Sequence, residues 1–193
     1  MKATIDKPMI FKAAATLANG GYNGSALQFT RRGDKLEICG TNAYVMVLAL
    51  VAAKFYRWSD GEGFRFSGAE VQALMRGTSK ALKNADTVQI ETVKGAAAVT
   101  LNVEGAAVAT SFPYTQPRPP INLDPLKASC GESPDGRAKA MSAYFMGLAS
   151  NAMRTISGSK HGSWTLKEHG MERPMEFVSK EEPARVLMMP NRE

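Results

Sequence analysis

The opening residues alternate in polarity, with Ala3 and Ile5 set against Lys2 and Thr4, which predicts a short half-buried strand. Asp6-Lys7-Pro8 then reads as a helix start, with Asp6 as the cap candidate and Pro8 in the first turn. Met9, Ile10, Ala13, Leu17 and Ala18 follow at helical spacing until Asn19-Gly20-Gly21 stops them. Leu27 and Phe29 alternate, Gly33-Asp34 signals a hairpin turn, and Leu36 and Ile38 alternate beyond it. After a turn at Gly40-Thr41-Asn42, the run from Tyr44 to Val51 reads as a buried strand. The first stretch is therefore a β-α-β-β-β unit.

The same order returns. Phe64-Arg65-Phe66 is a strand, and Ser67 with Glu70 makes a capping-box signature. The helix it opens carries Val71, Leu74 and Met75 and is expected to reach about Lys83. Three alternating strands follow, through Val88 and Ile90, Val99 and Leu101, then Ala106 and Val108. Residues 114–136 are dense in proline and read as an extended linker. A third helix then shows one apolar face of Met141, Phe145, Leu148, Ala149, Ala152 and Ile156. Strands through Trp164–Leu166, Met175–Val178 and Arg185–Met189 complete it. Repetition of one supersecondary unit matters more here than any single motif. The expected class is α+β, with repeated β-α-β-β-β units and helices on one face of antiparallel sheets. The expected organisation is a complete two-unit domain over 1–113, a linker over 114–136, and a partial domain over 137–193.

Composition narrows the function. The formal net charge is +6, which suits a polyanionic partner such as nucleic acid. Cys39 and Cys130 have no CxxC or Cys/His metal spacing, and they predict a reducing cytosol. No apolar run approaches the roughly 20 residues of a membrane helix, and no apolar segment follows the basic start as a signal peptide would. A cytoplasmic protein with no membrane partner is expected. His161 and His169 are the histidines, and no GxSxG, HExxH or Walker pattern accompanies them. No catalytic residue, cofactor or metal is expected.

The helices concentrate cations. Arg76, Lys80 and Lys83 are spaced by four and three, on neighbouring turns. Lys7 and Lys12 belong to the first helix, Arg154 to the third, with Arg137, Lys139 and Lys160 near its ends. These nine residues are the candidate contacts to duplex DNA, made to phosphates and indifferent to sequence.

Several segments resemble the bacterial DNA polymerase sliding clamp, the beta subunit of DNA polymerase III. Cys39-Gly40-Thr41-Asn42-Ala43-Tyr44-Val45-Met46 resembles that family's Ala-Thr-Asp-Gly-His-Arg-Leu turn and strand. Phe112-Pro113, Tyr144 to Leu148, Arg173 to Phe177, and Val186 to Arg192 resemble later family segments in the same order. The resemblance implies the DNA-clamp fold and a non-enzymatic processivity factor. Chains would close head to tail into a ring around duplex DNA, opened by a separate loader. If a ring needs about twelve units, three per chain imply a homo-oligomer of four. The family also binds partner peptides, from a polymerase or another factor, in an apolar pocket. The matching positions are Thr41, Asn42, Tyr44, Val45, Met46, Met188, Met189, Pro190 and Arg192. This chain departs from the pattern at Tyr44-Val45, which replace His-Arg, and in its length, which suggests a shortened form. The alternative is a clamp-like module that forms no ring and engages replication proteins as a peptide binder or decoy.

Overall fold

A computed structural model describes residues 1–19, 22–93, 96–103, 106–112, 118–130, 142–158, 162–169 and 173–189. The first unit comprises β1 (Lys2–Ile5), α1 (Pro8–Ala18), β2 (Ala26–Arg32), β3 (Lys35–Thr41) and β4 (Val45–Ala52). A short strand that the pattern did not predict, β5 (Lys54–Tyr56), leads to the second unit. That unit comprises β6 (Gly63–Ser67), α2 (Gly68–Thr78), β7 (Thr87–Val93), β8 (Ala96–Val103) and β9 (Ala106–Phe112). Beyond a short helix, α3 (Asp124–Ser129), come α4 (Ala143–Ser157), β10 (Trp164–Glu168), β11 (Met175–Ser179) and β12 (Ala184–Met188).

The units exchange their first strands. β1 pairs with β7 of the second unit, and β6 pairs with β2 of the first. Two antiparallel sheets result, ordered β5-β1-β7-β8-β9 and β10-β11-β12-β4-β3-β2-β6. The larger sheet is continuous into the third unit because β12 pairs with the outer edge of β4, Val186 opposite Val47. One apolar cluster runs through all three units, from Ile5 and Phe11 to Val71 and Val99 and on to Ala152 and Val186.

The sequence of α1 explains its central place. It is buried almost all round, at Ile10, Phe11, Ala13, Ala14, Ala15, Leu17 and Ala18, since it contacts α2, α4 and the strands beneath. Small residues allow that approach. A Cβ on Gly40 of β3 would lie 2.1 Å from the carbonyl oxygen of Ala14, so helix and strand backbones touch. Helix packing of this kind buries apolar surface at about 25 cal/mol per Å2.

Three local expectations need correction. Asp6 does not cap α1; Lys7 stands at that position and makes no side-chain cap bond. α2 stops at Thr78, and a separate 3-10 turn spans Ala81–Lys83. Gly77, Thr78 and Ser79 are weak helix formers, and Thr78 Oγ1 donates back to the Leu74 carbonyl at 2.8 Å. The proline-rich stretch contains a helix after all, because Pro125 falls in the first turn of α3, where its missing N–H costs nothing.

Residues 118–130 lie across the sheet face opposite the helices. Gln28 straps them there. Its Nε2 donates to the Ile121 carbonyl at 3.0 Å, and its Oε1 accepts from the Ile121 amide at 2.6 Å. Beneath them Leu123 packs on Cys39 and Leu48. Burial, and then the negative charge of Glu37, push the Cys39 thiol up to about 12, so it is a small core residue and no nucleophile.

Candidate nucleic-acid interface

The three long helices lie on one side of the sheets, α1 between α2 and α4. Their outward residues include Lys12, half-exposed on α1, and Arg76 and Arg154, exposed on α2 and α4. Lys80 and Lys83 are exposed just past the end of α2. Across α1, α2 and α4 the only carboxylate in the sequence is Glu70, and it is engaged: Ser67 N and Oγ donate to its Oε2 at 2.6 and 2.7 Å. Lys12, Arg76, Lys80, Lys83 and Arg154 form no ion pair among the described residues. Arg154 is oriented by a hydrogen bond of 2.9 Å to Asn151 Oδ1. Lys7 differs, because it is tied to Glu182 at 3.0 Å. Arg137, Lys139 and Lys160 lie outside the described residues.

A second locus forms where the third unit meets the first. Asn42 Oδ1 accepts from the amides of Tyr44 and Val45 at 3.1 and 2.8 Å, and Thr41 Oγ1 accepts from Ala43 N at 3.0 Å. This side-chain cage holds Ala43 in the left-handed region at φ 77°. The end of β12 joins the turn, since Met188 pairs with Val45 and Met189 N donates to the Tyr44 carbonyl at 2.9 Å. The structure thus brings the turn and the chain's last described residues together. Their side chains part company. Val45 and Met188 are buried in the helix-side core, Thr41 and Asn42 are buried in the turn, and Met46 packs on the opposite face beside Leu48. Tyr44 is 45% exposed and stacks on Phe145 at 4.5 Å between ring centroids, with Tyr22 edge-on at 5.7 Å. A hydrogen bond with Tyr144, followed by burial, raises the Tyr22 phenol above its ordinary range. Pro190 and Arg192 lie outside the described residues.

The Bacillus subtilis DNA polymerase sliding clamp matches with a TM-score of 0.58 at 11% identity, over 100% of this chain and 64% of that one. A chain of the PCNA2–PCNA3 complex from Sulfolobus tokodaii matches at 0.55 and 12% identity, over 100% of both chains. The chain has the sliding-clamp fold. An A. fulgidus PCNA bound to the C-terminal region of FEN-1 matches too, at 0.54 and 12% identity, covering 100% of this chain and 99% of that one. No protein-family model and no curated protein sequence matches.

Sequence reasoning missed two parts of this sliding-clamp fold's surface. The aromatic group of Tyr22, Tyr44, Tyr144 and Phe145 comes from three separate segments, and no spacing within one segment announces it. The buried pair of His169 and Glu176, with the part-exposed Arg185, was missed as well. His169 Nε2 and Arg185 Nη1 each lie 2.9 Å from a Glu176 carboxylate oxygen. Among the described residues no cluster has the makings of a metal site, and no helix is long and apolar enough to cross a membrane.

Proposed function

We propose that this protein is a non-enzymatic, cytoplasmic processivity factor of the DNA polymerase III beta type, which encircles duplex DNA and tethers a polymerase or repair factor. The observation that carries this reading is the charge of the helix layer: Lys12, Arg76, Lys80, Lys83 and Arg154 form no ion pair among the described residues, and the lone carboxylate of the three helices is already bonded. A row of unpaired cations on a smooth helical face suits phosphates at successive positions and reads no base edges. The strand edges that would pair with other copies in this reading are β9 and β10, the ends of the two sheets away from β5 and β6. Closure through them would give a ring of four chains. The partner peptide would dock at the junction of the β3–β4 turn and the chain end, on the outer face beside Met46.

A second reading rests on one observation. The outer edge of β4 is already filled by β12 of the same chain. A chain that satisfies this edge internally could work as a single copy, binding replication proteins as a peptide-binding or decoy module. Retention on nicked circular DNA, before and after linearisation, separates the two. An encircling protein stays on the circle through a high-salt wash and is lost once the DNA is cut. Equal loss from both forms contradicts encirclement and leaves the single-copy module.

A further inference from the structure

A cleft of about 450 Å3 lies between the loop after α1, the first turn of α2 and the outer edge of β6. It is lined by Tyr22, Ser25, Arg65, Gly68, Gln72 and Arg118, among others, and none of its lining residues is acidic. Two arginines stand in an unusual relation in its wall. Arg65 and Arg118 are antiparallel bridge partners, with Arg65 N donating to the Arg118 carbonyl at 3.1 Å. Directly opposed residues in such a pair have Cβ atoms about 4.5–5.5 Å apart on one face, and like charges there repel. Neither guanidinium has a carboxylate partner among the described residues.

Two further polar groups in the same wall are also unsatisfied. Arg65 Nε is buried without a hydrogen-bond partner. Ser25 is 7% exposed, and its Oγ is buried and unbonded. Ser25 sits against the start of α2: its carbonyl accepts from Gly68 N at 3.0 Å, and a Cβ on Gly68 would stand 2.9 Å from the Ser25 Cβ. The positive end of the α2 dipole adds the same sign of potential, offset in part by Glu70. Buried donors and hydroxyls without partners are uncommon and ask for an explanation. An anion between the arginines supplies one for all of them at once.

We propose that this cleft binds a phosphate group, gripped by Arg65 and Arg118 with Ser25 Oγ as a further donor. Two planar guanidinium forks and a hydroxyl match the several oxygens of a phosphate better than the two of a carboxylate. Arg65 lies opposite Gln28, whose amide holds Ile121 on the sheet's outer face, so the arginine pair is separate from the basic helix layer. The site therefore needs neither a ring nor DNA in the channel.

The test is a titration of the full chain with inorganic phosphate at constant ionic strength, followed by NMR or calorimetry. Saturable binding is expected, weakened about tenfold or more by Arg118→Ala, as the loss of a charged hydrogen bond implies. Arg118 enters the bridge through its carbonyl, so the variant keeps that backbone contact. Ser25→Ala should weaken binding several-fold while leaving the unliganded protein as stable as before or more so, because it removes an unsatisfied hydroxyl. The charge reversal Arg76→Glu, Lys80→Glu and Lys83→Glu should leave phosphate binding unchanged, which separates this site from the DNA reading. Thymidine 5′-monophosphate binding more tightly than phosphate and thymidine assigns the site to a nucleotide or a DNA end; equal binding of the two phosphates assigns it to the free ion. Shifts no larger than those from chloride, or an Arg118→Ala variant that binds as well as the wild type, overturn the proposal.

Discussion

The two faces of the molecule use the same charged residue types in opposite ways. On the outer face, Glu37 is 2% exposed and is met by Lys127 and, at 3.6 Å, by Arg32. Glu176 is 3% exposed and is met by His169 and Arg185, each at 2.9 Å. Here Lys127, Arg32 and Arg185 are structural, since they neutralise carboxylates that could not otherwise be buried. On the helix face Lys12, Arg76, Lys80, Lys83 and Arg154 meet no acid among the described residues. Around Glu37 and Glu176 the outer layer is electrostatically closed, whereas the helix layer is open, and an open layer of one sign invites a ligand of the other. Counting lysines and arginines cannot separate these uses; the position of the acids can.

The largest effect expected comes from the layer contact that sets the helices on their sheet. Gly40→Ala forces a methyl group to within 2.1 Å of the Ala14 carbonyl and must lift α1. Destabilisation of about 3 kcal/mol is expected in urea unfolding, and an unchanged midpoint would mean the layers are looser than described. Next is Lys127→Met on the closed face. It leaves Glu37 with Arg32 alone and should cost about 2 kcal/mol of stability. Its affinity for duplex DNA should stay within about twofold of wild type, since a structural cation is not a DNA contact. A larger loss of affinity would erase the distinction between the faces.

Ala43→Gly acts in the other direction. Ala43 holds φ at 77°, where a Cβ is strained, so glycine should raise stability by about 0.5–1 kcal/mol in thermal unfolding. A loss instead would show that the β3–β4 turn needs the alanine methyl. The smallest effect concerns pH. The Gly33 amide, 2.7 Å from Asp60 Oδ1, holds that carboxyl below its ordinary range. A depressed carboxylate contributes stability above its unfolded value of about 4 and loses it as pH falls through the folded value. The small advantage of wild type over Asp60→Asn should therefore be constant at neutral pH and vanish in acid; an advantage that grows in acid would reverse the assigned sign.

The periodicity of α1, α2 and α4 and the alternation of most strands were readable along the chain, because one buried face imposes the pattern directly. The strand exchange was not, since β1 prefers β7 to its own unit for reasons of tertiary packing that no local window contains. β4 hid more. Val45, Val47, Ala49 and Val51 alternate with Met46, Leu48 and Leu50, apolar on both faces, so the sequence could not tell which residues join the core and which face outward. That is why the junction residues were named together although their side chains divide between two faces. Helical spacing placed Lys12, Arg76 and Arg154 on the outward side of their helices, whereas Lys80 and Lys83 are exposed beyond the end of α2. The Arg65–Arg118 pair was not legible, since its members are joined by a chain crossing 53 residues later in the sequence.

The most direct test of the open helix face is the salt dependence of binding to short duplexes of unrelated sequence, for wild type and for the combined Arg76→Glu, Lys80→Glu and Lys83→Glu variant. Equal affinity across sequences is expected, with a log–log salt slope that falls by roughly 2.7 in the variant, at about 0.9 per lost phosphate contact. An unchanged slope would contradict it, because the duplex would then be held by some other surface.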